Sequence, residues 1–187
     1  NAPDTLRYSG LRDRAILELL YSTGLRAHEL ISLKIYDIDQ TKQTVFVRKG
    51  KMQKDRFVTL GNRALRWVRS YITFARKNYQ SFVESDVLFL DLYGKPLRVH
   101  TLDRLILKYK NQAKVTKRGK SHVFRHAMAT HMLEGGADIR YVQEMLGHAS
   151  VETTQIYTHV AQNELREKYR AIESNLYAGK EALAHVG

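Results

Sequence analysis

Between Ser121 and His159 the chain reads SHVFRHAMATHMLEGGADIRYVQEMLGHASVETTQIYTH, and it places His122, Arg125, His148 and Tyr157 at spacings that suggest one site. His122 and Arg125 are three residues apart. One helical turn therefore puts both on the same face, where they converge on one ligand. Gly147-His148 follows the apolar run Val142 to Leu146, and Tyr157 comes nine residues after His148. Ser150 is a good helix N-cap, and with Thr153 and Thr154 it predicts a short helix that carries Tyr157 back toward His148. A fixed cation, two proton-carrying imidazoles and a phenol together suit chemistry on a phosphate.

Three separated stretches, STGLRAHEL, HVFRHAMATHML and LGHASVETTQIYTH, follow one another in that order. Between the first two lies Gly50-Lys51-Met52-Gln53-Lys54-Asp55-Arg56, a G-K-x-x-K-x-R pattern. This set resembles the motifs of the tyrosine recombinases, the phage-integrase and Xer-like family, over Leu11 to His159. The resemblance implies a mixed α+β, mainly α-helical catalytic domain with a small antiparallel β-hairpin or sheet. It implies a site-specific DNA recombinase that cleaves and rejoins strands through a 3′-phosphotyrosyl intermediate. The catalytic set carried over is Arg26, Lys51, His122, Arg125, His148 and Tyr157, with Tyr157 as nucleophile. His28 stands where the family often has a small residue, beside the matched positions.

A phenol with an ordinary pKa of about 10 is mostly protonated at neutral pH. Its attack on a phosphodiester needs a proton acceptor and a counter-charge for the phosphorane-like transition state. Arg26 and Arg125 are expected to hold phosphate oxygens in bidentate forks. His122 is the expected base or relay, His148 a hydrogen-bond partner of the scissile phosphate, and Lys51 the acid for the departing 5′-hydroxyl. Lys49 and Lys54 are rival assignments for that acid. The bond energy is kept in the phosphotyrosine, so neither ATP nor a metal is required. A metal reading of His122, His126, His131, His148 and His159 is the natural competitor, and the chemistry weighs against it: there is no Cys, no H-E-x-x-H spacing, and an arginine in their midst would repel a cation. Two other functions fit similar residues: a type IB topoisomerase-like enzyme that nicks and reseals one strand, and a non-catalytic DNA-binding protein of the same fold.

The 187 residues are 43% hydrophobic and 27% charged, enough for one sizeable core in a soluble domain. Lys and Arg number 31 against 19 Asp and Glu, a formal charge of +12, which calls for a polyanionic partner with nucleic acid foremost. No apolar run approaches the roughly 20 residues that span a bilayer, and no signal peptide opens the sequence, so a cytoplasmic, nucleoid-associated location is expected and no membrane partner.

The elements that must position the site can be read in order. Asn1 to Gly10 reads as the end of an interdomain linker, with an N-terminal DNA-clamping domain expected upstream by the resemblance. Leu11, Ala15, Ile16, Leu19 and Leu20 are at helical spacing, Ser22-Thr23-Gly24 breaks the pattern, and a second helix over Arg26 to Leu33 turns Leu30 and Leu33 to the core. An arginine at a helix start is unfavourable for the dipole unless it meets an anion there. Val45 to Val47 and Arg56 to Leu60 predict a β-hairpin with Arg48, Lys49, Lys51 and Lys54 about its tip. Leu65 to Ala75 and Thr101 to Lys114 read as helices, with Trp67 and Tyr71 better explained as core than as base-stacking aromatics. Arg48, Lys49, Lys54, Lys117, Arg118 and Lys120 are the expected phosphate contacts. Past the catalytic region (11–159), the tail 160–187 carries Leu165, Tyr169, Ile172 and Leu176 in one helical stripe. The resemblance makes that tail a subunit-docking element, which gives a homo-oligomer: a tetrameric synapse on two sites of double-stranded DNA, from subunits monomeric without it.

Overall fold

The computed structural model describes residues 3–48, 55–79, 85–116 and 118–147. The described fold is mainly helical with one small antiparallel sheet. Helix α1 is Tyr8–Thr23 and α2 is Ala27–Ser32; the strands are β1 Ile38–Asp39, β2 Thr44–Val47 and β3 Arg56–Thr59. Helices α3 Asn62–Ser70, α4 Val99–Gln112, α5 Ser121–Glu134 and α6 Ile139–Leu146 follow. Helix α1 begins inside the segment expected to be linker, at Tyr8. The sequence signals for α1, the turn after it and α2 hold, with Ala15, Ile16, Leu19, Leu20, Leu30 and Leu33 buried.

Strands β2 and β3 form the expected hairpin, pairing Thr44 with Thr59 through Val47 with Arg56. Alternation does the sorting: Val45, Val47 and Val58 are buried, while Phe57 is exposed and meets Phe46 across the ladder with ring centroids 5.0 Å apart, tilted at 40°. A third strand, β1, pairs with β2 and completes the order β1-β2-β3. Helix α1 packs on α3 and α5, and α6 packs on α5 and β3.

The predicted helix over Leu65 to Ala75 departs from a plain α-helix: α3 ends at Ser70 and residues Tyr71–Ala75 form a π-helical turn. The widened turn accompanies long-range bonding that no local pattern encodes. Tyr71 is fully buried, its hydroxyl accepts from the Leu90 amide at 3.3 Å, and its ring stacks on Phe89. Arg76, just beyond, donates to the carbonyls of Ser85, Val87 and Leu88. Both predicted core aromatics are scaffold, since Trp67 lies partly buried against the core under the Arg14 guanidinium. The helix expected over Thr101 to Lys114 is α4, whose Leu102, Leu105 and Ile106 are buried.

Gly24 ends α1 at φ 61°, in the left-handed region that glycine enters at least cost. A Cβ there would lie 2.4 Å from Met128 Cε and 2.9 Å from Leu146 Cδ2. This close approach seats the α1–α2 turn on α5 and α6. Gly24→Ala is expected to cost about 1–2 kcal/mol, from the strained φ and the displaced side-chain ends, read as a melting temperature lower by several degrees.

Candidate active site

The turn after Gly24 delivers Arg26 to the start of α2, where Glu29 meets it. Glu29 Oε2 accepts the Arg26 backbone N–H at 2.9 Å and Oε1 lies 3.3 Å from Arg26 Nη1. The anion that a helix-starting arginine requires is thus partly supplied by the chain itself. Arg56, from β3, closes on the same carboxylate in a fork, Nη1–Oε1 2.8 Å and Nη2–Oε2 3.0 Å, while its Nε donates to the Met145 carbonyl at 3.0 Å. Glu29 is only 3% exposed, yet its carboxyl remains ionised. Burial, the largest single influence, pushes its pKa up, but the Arg56 hydrogen bond, the Arg26 amide and the two guanidinium charges together bring it down from 4.5 to about 2.

On α5, Arg125 points into the same region. Its Nη1 donates to the Gly24 carbonyl at 2.9 Å and its Nη2 to the Leu146 carbonyl. One guanidinium therefore ties the α1–α2 turn to the C-terminus of α6, where carbonyls are otherwise unpaired and the dipole favours a cation. Arg125 is 9% exposed. Burial first, then the positive charges of Arg26 and Arg56 set against Glu29, depress it to about 10, so it stays charged at neutral pH. Two guanidiniums share the Glu29 carboxylate and a third, Arg125, feels its charge nearby, and the surplus positive charge can be relieved by an incoming anion.

His122 stands exposed on α5, one turn before Arg125. His126 is exposed as well, and the ring Nδ1 of His131 lies 2.7 Å from the Tyr21 hydroxyl. Helix α6 starts at Asp138, whose side chain accepts the Arg140 amide, and stops at Gly147 with φ 63°. That left-handed stop ends α6 in the conformation glycine adopts at least cost.

Of the six residues expected to be catalytic, Arg26, His122 and Arg125 are described, and the structure brings Arg26 and Arg125 into one charged cluster beside the α5 face that bears His122. Lys51, His148 and Tyr157 lie outside the described residues, as do Lys49, Lys54, Lys117, the helix expected between Ser150 and Tyr157, and the tail 160–187. Of the expected phosphate contacts, Arg48 pairs with Asp37 and lies over the Phe46 and Tyr36 rings. Lys120 reaches Asp103 at 2.8 Å, and Arg118 is exposed. Sequence reasoning passed over Glu29 and Arg56. The signals were there: Glu29 falls three residues after Arg26 at a capping-box position, and Arg56 closes the G-K-x-x-K-x-R pattern.

The low pKa of Glu29 has a measurable consequence. A carboxyl depressed in the folded state contributes stability that is fully present above its unfolded value near 4.5 and is lost as pH falls toward about 2. Glu29→Gln is expected to lower the melting temperature at pH 7 and to flatten its decline between those two values. Parallel curves for the two proteins through that window would show that Glu29 is not the group responsible.

The phage integrase family matches residues 1–164. The chain is 49% identical over 157 residues to a tyrosine recombinase XerC 2 of Ralstonia nicotianae, covering 84% of this chain and 45% of that protein. It is 43% identical over 167 residues to a tyrosine recombinase XerD of Staphylococcus haemolyticus, covering 89% and 56%. The chain thus spans about half the length of the curated relatives it matches. Among solved structures it is similar to XerA recombinase, with a TM-score of 0.70 at 39% identity over 86% of this chain and 58% of that one. It is also similar to XerH site-specific recombinase in a post-cleavage complex with its palindromic difH substrate, with a TM-score of 0.65 at 26% identity over 86% and 45%. A shared sequence, a shared fold and an arginine cluster at the matched motif positions agree: the chain belongs to the phage integrase family.

Proposed function

We propose that this chain is the strand-cleaving and rejoining part of a site-specific DNA recombinase. The observation that carries the reading is the convergence of the half-buried Arg26 and the buried Arg125, drawn from motifs about a hundred residues apart, beside the His122 face. Two guanidiniums held by the protein before any ligand arrives are what a phosphate gaining negative charge requires. In this reading Arg26 and Arg125 hold the non-bridging oxygens of the scissile phosphate and His148 donates a hydrogen bond to one of them. The Tyr157 hydroxyl attacks phosphorus as His122 accepts its proton, the bond to the 5′ oxygen breaks, and Lys51 protonates that oxygen. A 3′-phosphotyrosine and a free 5′-hydroxyl result, and the reverse reaction with a different 5′-hydroxyl completes exchange.

The partner is double-stranded DNA, consistent with the +12 charge and with similarity to a recombinase bound to its difH substrate. Its expected location is the cytoplasm, on the nucleoid. Residues 11–159 form the catalytic unit, and Arg48, Lys49, Lys54, Lys117, Arg118 and Lys120 approach backbone phosphates. The tail 160–187 docks on a neighbouring subunit to build a tetramer on two sites. The test is a nicked suicide substrate from which the short fragment bearing the freed 5′-hydroxyl diffuses away: a covalent protein–DNA adduct is expected. Strand-exchange products on two-site DNA separate a recombinase from an enzyme that only nicks and reseals. Deleting the chain from Glu164 should spare binding to one site and remove cooperative pairing of two. Absence of an adduct with the intact protein would reduce the reading to DNA binding alone.

A further inference from the structure

Resting on that reading, we infer that Arg56 is a positioning residue that aims Arg26 through Glu29 and, through the Met145 carbonyl, fixes the point at which the chain leaves α6. Three observations carry it. Arg56 is 9% exposed on the hydrogen-bonded edge of the hairpin, opposite Val47 in the β2–β3 ladder, so its backbone is fixed by the sheet. Its fork is fully directed inward: both terminal nitrogens meet the Glu29 carboxylate and Nε meets the α6 carbonyl. Finally, the carboxylate it grips is the one that holds Arg26 by backbone and side chain at once.

Without that fork Glu29 keeps only Arg26 as a partner. The carboxylate is then free to draw the Arg26 guanidinium into a full pair of its own, away from an incoming phosphate. With the fork, both Glu29 oxygens are committed to Arg56, and the Arg26 side chain is held by a single contact at 3.3 Å. Arg56 also shares the end of α6 with Arg125: adjacent carbonyls, Met145 and Leu146, accept from the two guanidiniums. A lysine keeps the charge at this place but cannot make three directed bonds.

The test compares Arg56→Lys and Arg56→Gln with intact protein, and repeats Arg56→Lys in an Arg26→Lys background. Single-turnover cleavage of the suicide substrate, DNA affinity and melting temperature are measured for each. Arg56→Lys should cleave at least about tenfold more slowly with affinity changed less than about threefold, Arg56→Gln more slowly still, and Arg56→Lys should cost little further once Arg26 is already lysine. A full, multiplicative loss in that background would show that Arg56 acts independently of Arg26 and overturn the assignment. So would unchanged cleavage, or affinity falling in step with rate. A variant unfolded at the assay temperature would make the fork a folding element only, which also overturns it. Failure of the intact protein to form an adduct would instead sink the proposed function, and the binding and melting data would show that the fold had survived.

Discussion

Tyr157→Phe is expected to abolish the covalent adduct while leaving DNA affinity within about twofold of the intact protein. Removing one oxygen removes the nucleophile, so the loss should exceed about 10³-fold. Duplex binding is carried by many phosphate contacts, to which a phenol contributes little. The measurement is adduct trapping on the suicide substrate alongside a binding titration at fixed salt. A surviving adduct would move the role to another tyrosine. Tyr141 is a weak rival on structural grounds, since its hydroxyl donates to Thr59 Oγ1 at 3.1 Å and the side chain is buried in the α6–β3 contact. Tyr169 would be examined first.

The elements that could be read in the sequence were those whose cause is local. Apolar spacing from Leu11 to Leu20, the glycine stop at Gly24 and the alternation about Val45 and Val58 each express a helix, a left-handed cap and a half-buried strand within a few residues. What could not be read depends on partners far along the chain. The π-helical turn at Tyr71 accompanies bonds to a segment some twenty residues away, and β1 pairs with β2 over only two residues. Charge was the least legible property. Arg12, Asp13, Glu18, Glu29, Asp37, Arg76 and Arg125 all look like surface residues by type, yet all are buried. Their partners, such as Leu90 O for Arg12 and the Val87 and Leu88 carbonyls for Arg76, are set by topology rather than by neighbouring residues. The same blindness applies to the site. Motif resemblance singled out Arg26 and Arg125, but only the fold reveals that Glu29 and Arg56 back Arg26 while Arg125 is tied directly to the Gly24 and Leu146 carbonyls.

Arg125 serves the fold and the proposed chemistry with the same guanidinium. Replacing it with alanine should therefore produce two separable losses. The first is structural: the carbonyls of Gly24 and Leu146 lose a charge-assisted donor, a cost of about 2–3 kcal/mol that appears as a lower melting temperature. The second is catalytic: with one of two positive clamps gone, cleavage should slow by about 10²–10³-fold at a temperature well below melting. Arg125→Lys keeps a charge but cannot reach both carbonyls in the fork geometry, so it should recover only part of each loss. Free guanidinium at modest concentration separates the two roles. It can enter the space left by Arg125→Ala and restore charge beside the phosphate, but it cannot re-tether the α1–α2 turn to α6 across two chain segments. Rate recovery without recovery of melting temperature would place Arg125 on the phosphate. If the rate instead follows melting temperature across the alanine, lysine and guanidinium-supplemented samples, then Arg125 is a strut alone, and the positive charge that faces DNA must come from Arg26.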